Sequence, residues 1–153
     1  MDNLTDDADW KGIDMSSVGV VGKTHGYEYR SYMYVTPGEV AVAKLLGAQA
    51  VPFTPDVFIK IATPLWTEGL PMVYVPDFVF NRRPYVWIDA DGHRELIHGI
   101  EVKHRGRAGN FPKRGLRKIA VLREARGISV KILDELWVRM QTYLPIEPYD
   151  FGS

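Results

Sequence analysis

Ile100-Glu101-Val102-Lys103 is the stretch on which the reading of this chain turns. It lies in an apolar, strand-like run, and Glu101 and Lys103, two residues apart, project from the same face. A buried strand would hold valine or isoleucine there. Burying a charge is costly unless it is paired or bound to a metal. Pro76-Asp77 carries the same oddity, with Asp77 set between Val75 and Phe78 in the strand-like run Met72 to Phe80. Two carboxylates meeting on a sheet form a hard oxygen site suited to Mg²⁺, which keeps several waters and also binds phosphate oxygens. A lysine beside such a site can hold or deprotonate an attacking water. The plainer alternative is a structural ion pair at a strand end.

The flanking sequence supplies the frame. Tyr27 to Val35 is tyrosine-rich and partly alternating, and predicts one strand. Thr36-Pro37-Gly38-Glu39 opens a helix over about 37–48, with Thr36 as N-cap, Pro37 at the first helical position and Glu39 completing a capping-box pattern. Val57 to Ala62 predicts a strand. Pro76 places the 72–80 strand at an edge or a bulge. Asp91-Gly92 is a hairpin turn signal between strands at 85–88 and 96–103. Lys113 to Arg126 reads as a helix with Leu116, Ile119, Ala120 and Leu122 on its apolar face, stopped by Gly127. Ile128 to Leu133 is a short strand, and Asp134 can cap a last helix. The order predicts an α/β domain with a mixed sheet.

Composition limits the alternatives. A chain of 153 residues, 46% hydrophobic and 25% charged, is sized for one domain. No apolar run approaches the ~18–20 residues of a membrane span. Asp2, Asp6, Asp7 and Asp9 stand where a secretion signal would be basic and then apolar. The absence of cysteine excludes disulfide frameworks, thiolate zinc sites and cysteine nucleophiles, and fits a reducing intracellular compartment. Lysine plus arginine equals aspartate plus glutamate at 19 each, yet residues 103–126 carry Lys103, Arg105, Arg107, Lys113, Arg114, Arg117, Lys118, Arg123 and Arg126 against Glu124 alone. Such a segment can neutralise phosphates, or can be a solvated helix face.

Taken together, Pro76-Asp77 followed by Glu101-Val102-Lys103, with Glu39 on the preceding helix, resembles the PD-(D/E)XK nuclease superfamily. The layout is similar to phage junction-resolving and transposon-end endonucleases and covers about residues 37–133. The resemblance implies a restriction-endonuclease-like mixed central sheet flanked by helices, in a single domain over 27–153; residues 1–26, acidic, glycine-rich and weakly periodic, read separately as a mobile arm that matches nothing in the family. It implies Asp77 and Glu101 as metal ligands with the Val102 carbonyl as a third, Mg²⁺ as the cofactor with Mn²⁺ as substitute, Lys103 as the catalytic amine and Glu39 as an additional acid. The expected activity is DNA endonuclease cleavage leaving a 5′-phosphate, at a defined site or a branched junction, in the cytoplasm and encoded by a phage or mobile element. Arg105, Arg107, Lys113, Arg114, Arg117 and Lys118 would grip the DNA backbone, giving salt-dependent binding. A homodimer with one site per strand follows from duplex symmetry. The reading from a different class is a catalytically inert nucleic-acid-binding module of the same fold.

Other signals compete with these. Pro55-Asp56 is a second Pro-Asp, and Asp9-Trp10-Lys11 a second acid-x-Lys. Glu39 serves equally as a helix cap. Gly19-Val20-Val21-Gly22-Lys23-Thr24 resembles the end of a phosphate-binding loop, but Ser17 stands where the pattern needs glycine and no strand–helix context surrounds it. Asp89, Asp91 and Gly92 read as a hairpin tip rather than a calcium loop. His25, His93, His98 and His104 show no metal spacing, and Trp10, Trp66, Trp87 and Trp137 form no stacking platform.

Overall fold

The structure, a computed structural model, describes residues 26–61 and 72–150. The arm before Gly26, the Gly19–Thr24 motif, the Asp9-x-Lys11 decoy, His25, Trp10 and Trp66 lie outside them. Strands β1 (Tyr27–Tyr29) and β2 (Tyr32–Tyr34) pair antiparallel where one strand over 27–35 was expected. Arg30 and Ser31 join them at φ 51° and 66°, the doubly positive backbone of a two-residue hairpin loop. Neither residue is a usual occupant of that turn, so the local sequence hides it. Helix α1 (Pro37–Ala48) follows with the expected bounds. Thr36 is its extended N-cap and accepts the Glu39 N–H at 3.2 Å.

Short strands then accumulate: β3 (Phe53–Pro55), β4 (Ile59–Ile61), β5 (Met72–Tyr74), β6 (Phe78–Phe80), β7 (Tyr85–Ile88), β8 (Arg94–Ile97) and β9 (Gly99–Lys103). The expected 72–80 strand is two strands in two different sheets, because Pro76 cannot donate to a ladder. Likewise the expected 96–103 strand divides at His98 into β8 and β9. Helix α2 (Lys113–Arg126) has the expected bounds and ends at Gly127 in the left-handed conformation. Strand β10 (Val130–Asp134) begins two residues later than expected. Asp134 caps α3 (Glu135–Arg139) by accepting the Trp137 N–H at 3.1 Å, and β11 (Ile146–Pro148) closes the described chain.

The architecture is mixed α/β, with several small sheets among the described residues rather than one continuous central sheet. The four-stranded sheet runs β10-β9-β6-β3, with β9–β10 parallel and the other pairs antiparallel. The crossover from β9 through α2 to β10 makes that parallel pair possible. Strands β11-β7-β8 form a separate antiparallel sheet, and β4–β5 and β1–β2 are two-stranded. The core is split by the pleat of β6. Phe78 and Phe80 pack with Val42 and Leu46 of α1, Ile100, Val102, Leu133 and Val138. Val79 packs on the other face with Val121 and Leu122 of α2, Ile59, Ile61, Tyr74 and Val130. In α2 the buried residues are Val121 and Leu122, while Leu116, expected inside, is 41% exposed. Its neighbours Gly115 and Arg117 give that turn nothing to bury against the sheet. Among the described residues no helix is long and apolar enough to cross a membrane.

Gly99 sets how closely β6 and β9 approach. A Cβ there would stand 2.4 Å from the Phe78 carbonyl oxygen, a backbone atom that cannot move aside. Next to it, His98 donates its N–H to the Ser129 carbonyl at 2.7 Å and accepts the Ser129 N–H on Nδ1 at 3.0 Å. Burial pushes its imidazole down to about 4. The unfolded chain takes up this proton near 6.5 and the folded chain only near 4, so stability present above pH 6.5 is lost as pH falls between these values. The expected loss is about 3 kcal/mol. Urea unfolding at pH 7 and pH 4 checks it. The native protein should lose more stability than His98→Asn, whose side-chain oxygen can still accept the Ser129 N–H, and equal losses would refute the assignment.

Candidate active site

The site forms where the β6–β9 ladder ends. Pairing stops at Phe78↔Ile100, because the next residues of the β6 chain are Asp77 and Pro76, which has no N–H. Two side chains complete the hydrogen bonding that the ladder leaves open. Glu101 Oε1 accepts the Asp77 N–H at 2.9 Å, and Asp77 Oδ2 accepts the Val102 N–H at 2.7 Å. This reciprocal clasp brings the two carboxyls together from strands 24 residues apart in sequence. On the far side of Glu101, Lys103 Nζ lies 3.3 Å from Oε2. Glu101 is only 4% exposed, whereas the Lys103 side chain is 39% exposed. The structure therefore brings Asp77, Glu101 and Lys103 together.

Electrostatics follow from that placement. Burial pushes Asp77 well above the usual carboxylate range, and the charges of Glu101 and Glu39 push it further, against the Val102 N–H, with Asp56 adding to the rise. Burial also raises Glu101, opposed by the Lys103 charge and by hydrogen bonds from Asp77 and Lys103. Two desolvated carboxyls with one ammonium beside them form a pair that a divalent cation relieves. The donor set is all hard oxygen, which suits Mg²⁺ or Mn²⁺. The Val102 carbonyl points to the same strand edge as its N–H, toward Asp77, because both groups of one residue in a strand face the same neighbour.

Two further acids stand behind this pair. Glu39, buried in the first turn of α1, acts on Asp77 and on Tyr32 and Tyr34 through its charge. Asp56, the other Pro-Asp acid, sits at φ 52°, donates its N–H to the Asp77 carbonyl at 3.1 Å, and accepts a hydrogen bond from the Tyr32 hydroxyl. The competing Pro-Asp is thus a neighbour of Asp77 rather than a replacement for it. Burial and the charges of Asp56 and Glu39 push Tyr34 up to about 12. Among the described residues no three acidic or histidine side chains gather into a metal-holding group, so the candidate ligand set is Asp77 and Glu101 with backbone and water oxygens.

The basic residues divide by surroundings. Arg107, Lys113, Arg114 and Arg117 are exposed. Arg105 is tied to its own loop: its guanidinium lies 4.2 Å from the Phe111 ring, donates to the Gly109 carbonyl at 2.9 Å and stands 3.9 Å from Asp134. Lys118 donates to the Val73 carbonyl at 2.9 Å, joining α2 to β5. His104 is exposed. Trp87 and Trp137 meet at 6.0 Å, with Trp87 buried in the core.

Two polar residues near this region carry no sequence signal. Glu135 is 1% exposed and accepts both the Thr36 hydroxyl and the Gly38 N–H, each at 2.6 Å, across nearly a hundred residues. Tyr74 packs in the apolar cluster on the α2 face of the sheet, within reach of the charges of Glu101 and Asp77, from a strand that reads as ordinary core. Comparison with protein-family models, curated proteins and solved structures yields no significant match for this chain.

Proposed function

We propose that this chain is a metal-dependent DNA endonuclease of the PD-(D/E)XK kind, acting at a defined site or a branched junction. The observation that carries this reading is the reciprocal clasp of Asp77 and Glu101 at a ladder end, with Lys103 3.3 Å from Glu101. Asp77, Glu101 and the Val102 carbonyl would hold Mg²⁺, or Mn²⁺ in its place. When bound, that ion supplies the positive charge that offsets the negative charge building on the scissile phosphate. Lys103, half-exposed at the rim, orients a water by hydrogen bonding. That water's oxygen forms the new bond to phosphorus and gives up a proton to solvent while the P–O3′ bond breaks, and the leaving 3′-oxygen takes up a proton from solvent, so the products are a 5′-phosphate and a 3′-hydroxyl. Glu39 acts on Asp77 from the first turn of α1 and would assist retention of the cation. Arg107, Lys113, Arg114 and Arg117, exposed on the loop and on α2, would contact DNA phosphates, with Arg105 and Lys118 joining them. A homodimer, one site per strand, and a setting on phage or mobile-element DNA in the cytoplasm belong to the same reading.

One observation favours the second reading, an inert DNA-binding module: both Glu101 oxygens are engaged within the chain, and no third acid joins the pair among the described residues. Incubation with supercoiled plasmid and with a four-way junction, in Mg²⁺ and in EDTA, separates the two. Mg²⁺-dependent cutting is expected. Lys103→Met should lower its rate by about a hundredfold or more, as loss of a group acting in the transition state does, while DNA affinity in Ca²⁺ stays within about twofold. Binding of both DNAs with no cutting of either would favour the inert module.

A further inference from the structure

Tyr74 is 6% exposed, and among the described residues its buried hydroxyl has no hydrogen-bond partner. An unsatisfied buried hydroxyl is costly, so its surroundings bear on why it is retained. Val79 lies on the α2 face of the sheet and stands opposite Gly99. Glu101 is two residues after Gly99 in β9, so its carboxyl stands on the face on which Tyr74 packs, and the clasp joins Asp77 to it. Lys118 holds β5 against α2 through the Val73 carbonyl, adjacent to Tyr74, and β4 pairs with β5 through Ile59↔Tyr74. The backbone of β5 at Tyr74 is thus held from both sides on the face of the sheet that carries Glu101. A neutral phenol can donate to a carboxylate oxygen.

We propose that Tyr74 is a positioning residue of the cation site: its hydroxyl donates a hydrogen bond to the Glu101 carboxylate, directly or through one water, when a divalent cation is bound. This rests on the reading of Asp77 and Glu101 as metal ligands. Partners of this outer kind orient a ligand, and their removal typically weakens metal binding about 10–100-fold. Tyr74→Phe keeps the ring in the core and deletes only the hydroxyl.

Calorimetric titration with Mn²⁺ alone tests the proposal. The variant should bind about tenfold or more weakly than the native protein, with a metal-free melting temperature equal to or above the native value. A structural role would instead lower the melting temperature. In native protein labelled at the tyrosine Cζ, Mg²⁺ should also shift the Tyr74 resonance, which identifies itself by its absence from Tyr74→Phe. Native-like Mn²⁺ affinity in Tyr74→Phe, or a Tyr74 resonance indifferent to Mg²⁺, overturns the proposal while leaving the nuclease reading standing. Failure of the native protein to bind Mn²⁺ overturns both.

Discussion

Replacing Asp77 by asparagine is expected to stop DNA cleavage while making the metal-free protein more stable. The amide oxygen of the Asp77→Asn variant can still accept the Val102 N–H, so the clasp to β9 survives. What disappears is a desolvated carboxyl held next to Glu101, with Glu39 and Asp56 adding to the repulsion. The sign of the pH dependence follows. Asp77 titrates above its ordinary 3.8 in the folded chain, so its contribution to stability is present below that value and lost as pH rises through the folded-state value. The uncharged amide has no such loss. Melting curves in EDTA should therefore coincide near pH 4 and separate toward pH 8, with the variant higher. A relief of about 1 kcal/mol corresponds to about 2–4 °C in a chain of this size. Mg²⁺ at about a hundred times its dissociation constant stabilises the native protein by about 2.7 kcal/mol, and should leave the variant unmoved. Cleavage should fall by more than the roughly hundredfold cost of losing an outer-shell partner. A variant that melts lower than the native protein at pH 8, or still cuts plasmid at the native rate, would contradict the site.

The largest effect on stability is expected from Glu135→Ala. Its carboxylate accepts the Thr36 hydroxyl and the Gly38 N–H at the start of α1, where a helix leaves N–H groups without internal partners and favours negative charge. Removing it strands the buried Gly38 N–H and opens a void against the first turn of α1. Hydrogen bonds to charged groups contribute about 1.5–3 kcal/mol each, so losing two should lower the melting temperature by about 10 °C. Glu135→Gln, which can accept one of the two bonds, should fall between. Gly38→Ala should act through the same contact, since its Cβ would stand 2.4 Å from Glu135 Oε1. Because Glu39 is the next residue, loosening this cap also displaces the acid behind Asp77, and cleavage should fall along with stability. Denaturant unfolding of the three variants measures the order. An alanine variant at 135 as stable as the native protein would remove Glu135 from the account.

Short-range chemistry was enough to read much of this chain. Both long helices, α1 with Thr36 and Pro37 at its start and α2 ending at Gly127, follow from rules that act within one or two turns. So do the Asp91-Gly92 hairpin and the Asp134 cap, and the period-two spacing of Glu101 and Lys103 puts them on one face. What escaped the sequence depends on distant partners or on backbone states that composition does not reveal. The Arg30-Ser31 turn has no glycine or asparagine to announce it. Pro76 announced a disturbance, but nothing local said that β5 and β6 would join different sheets.

The acids and the lysine are written in the chain; their meeting is not. Asp77 reaches Val102, and Glu101 reaches back to Asp77, because Pro76 ends a ladder that Gly99 lets close tightly. The same long-range packing brings Asp56 and Glu39 behind the pair, aims Glu135 at α1, and seats Tyr74 on the carboxyl face. Residue type and spacing state which groups are available and which way a strand or helix points them. Burial, desolvation and mutual charge, which give those groups their chemistry, arise once segments far apart in sequence share one core.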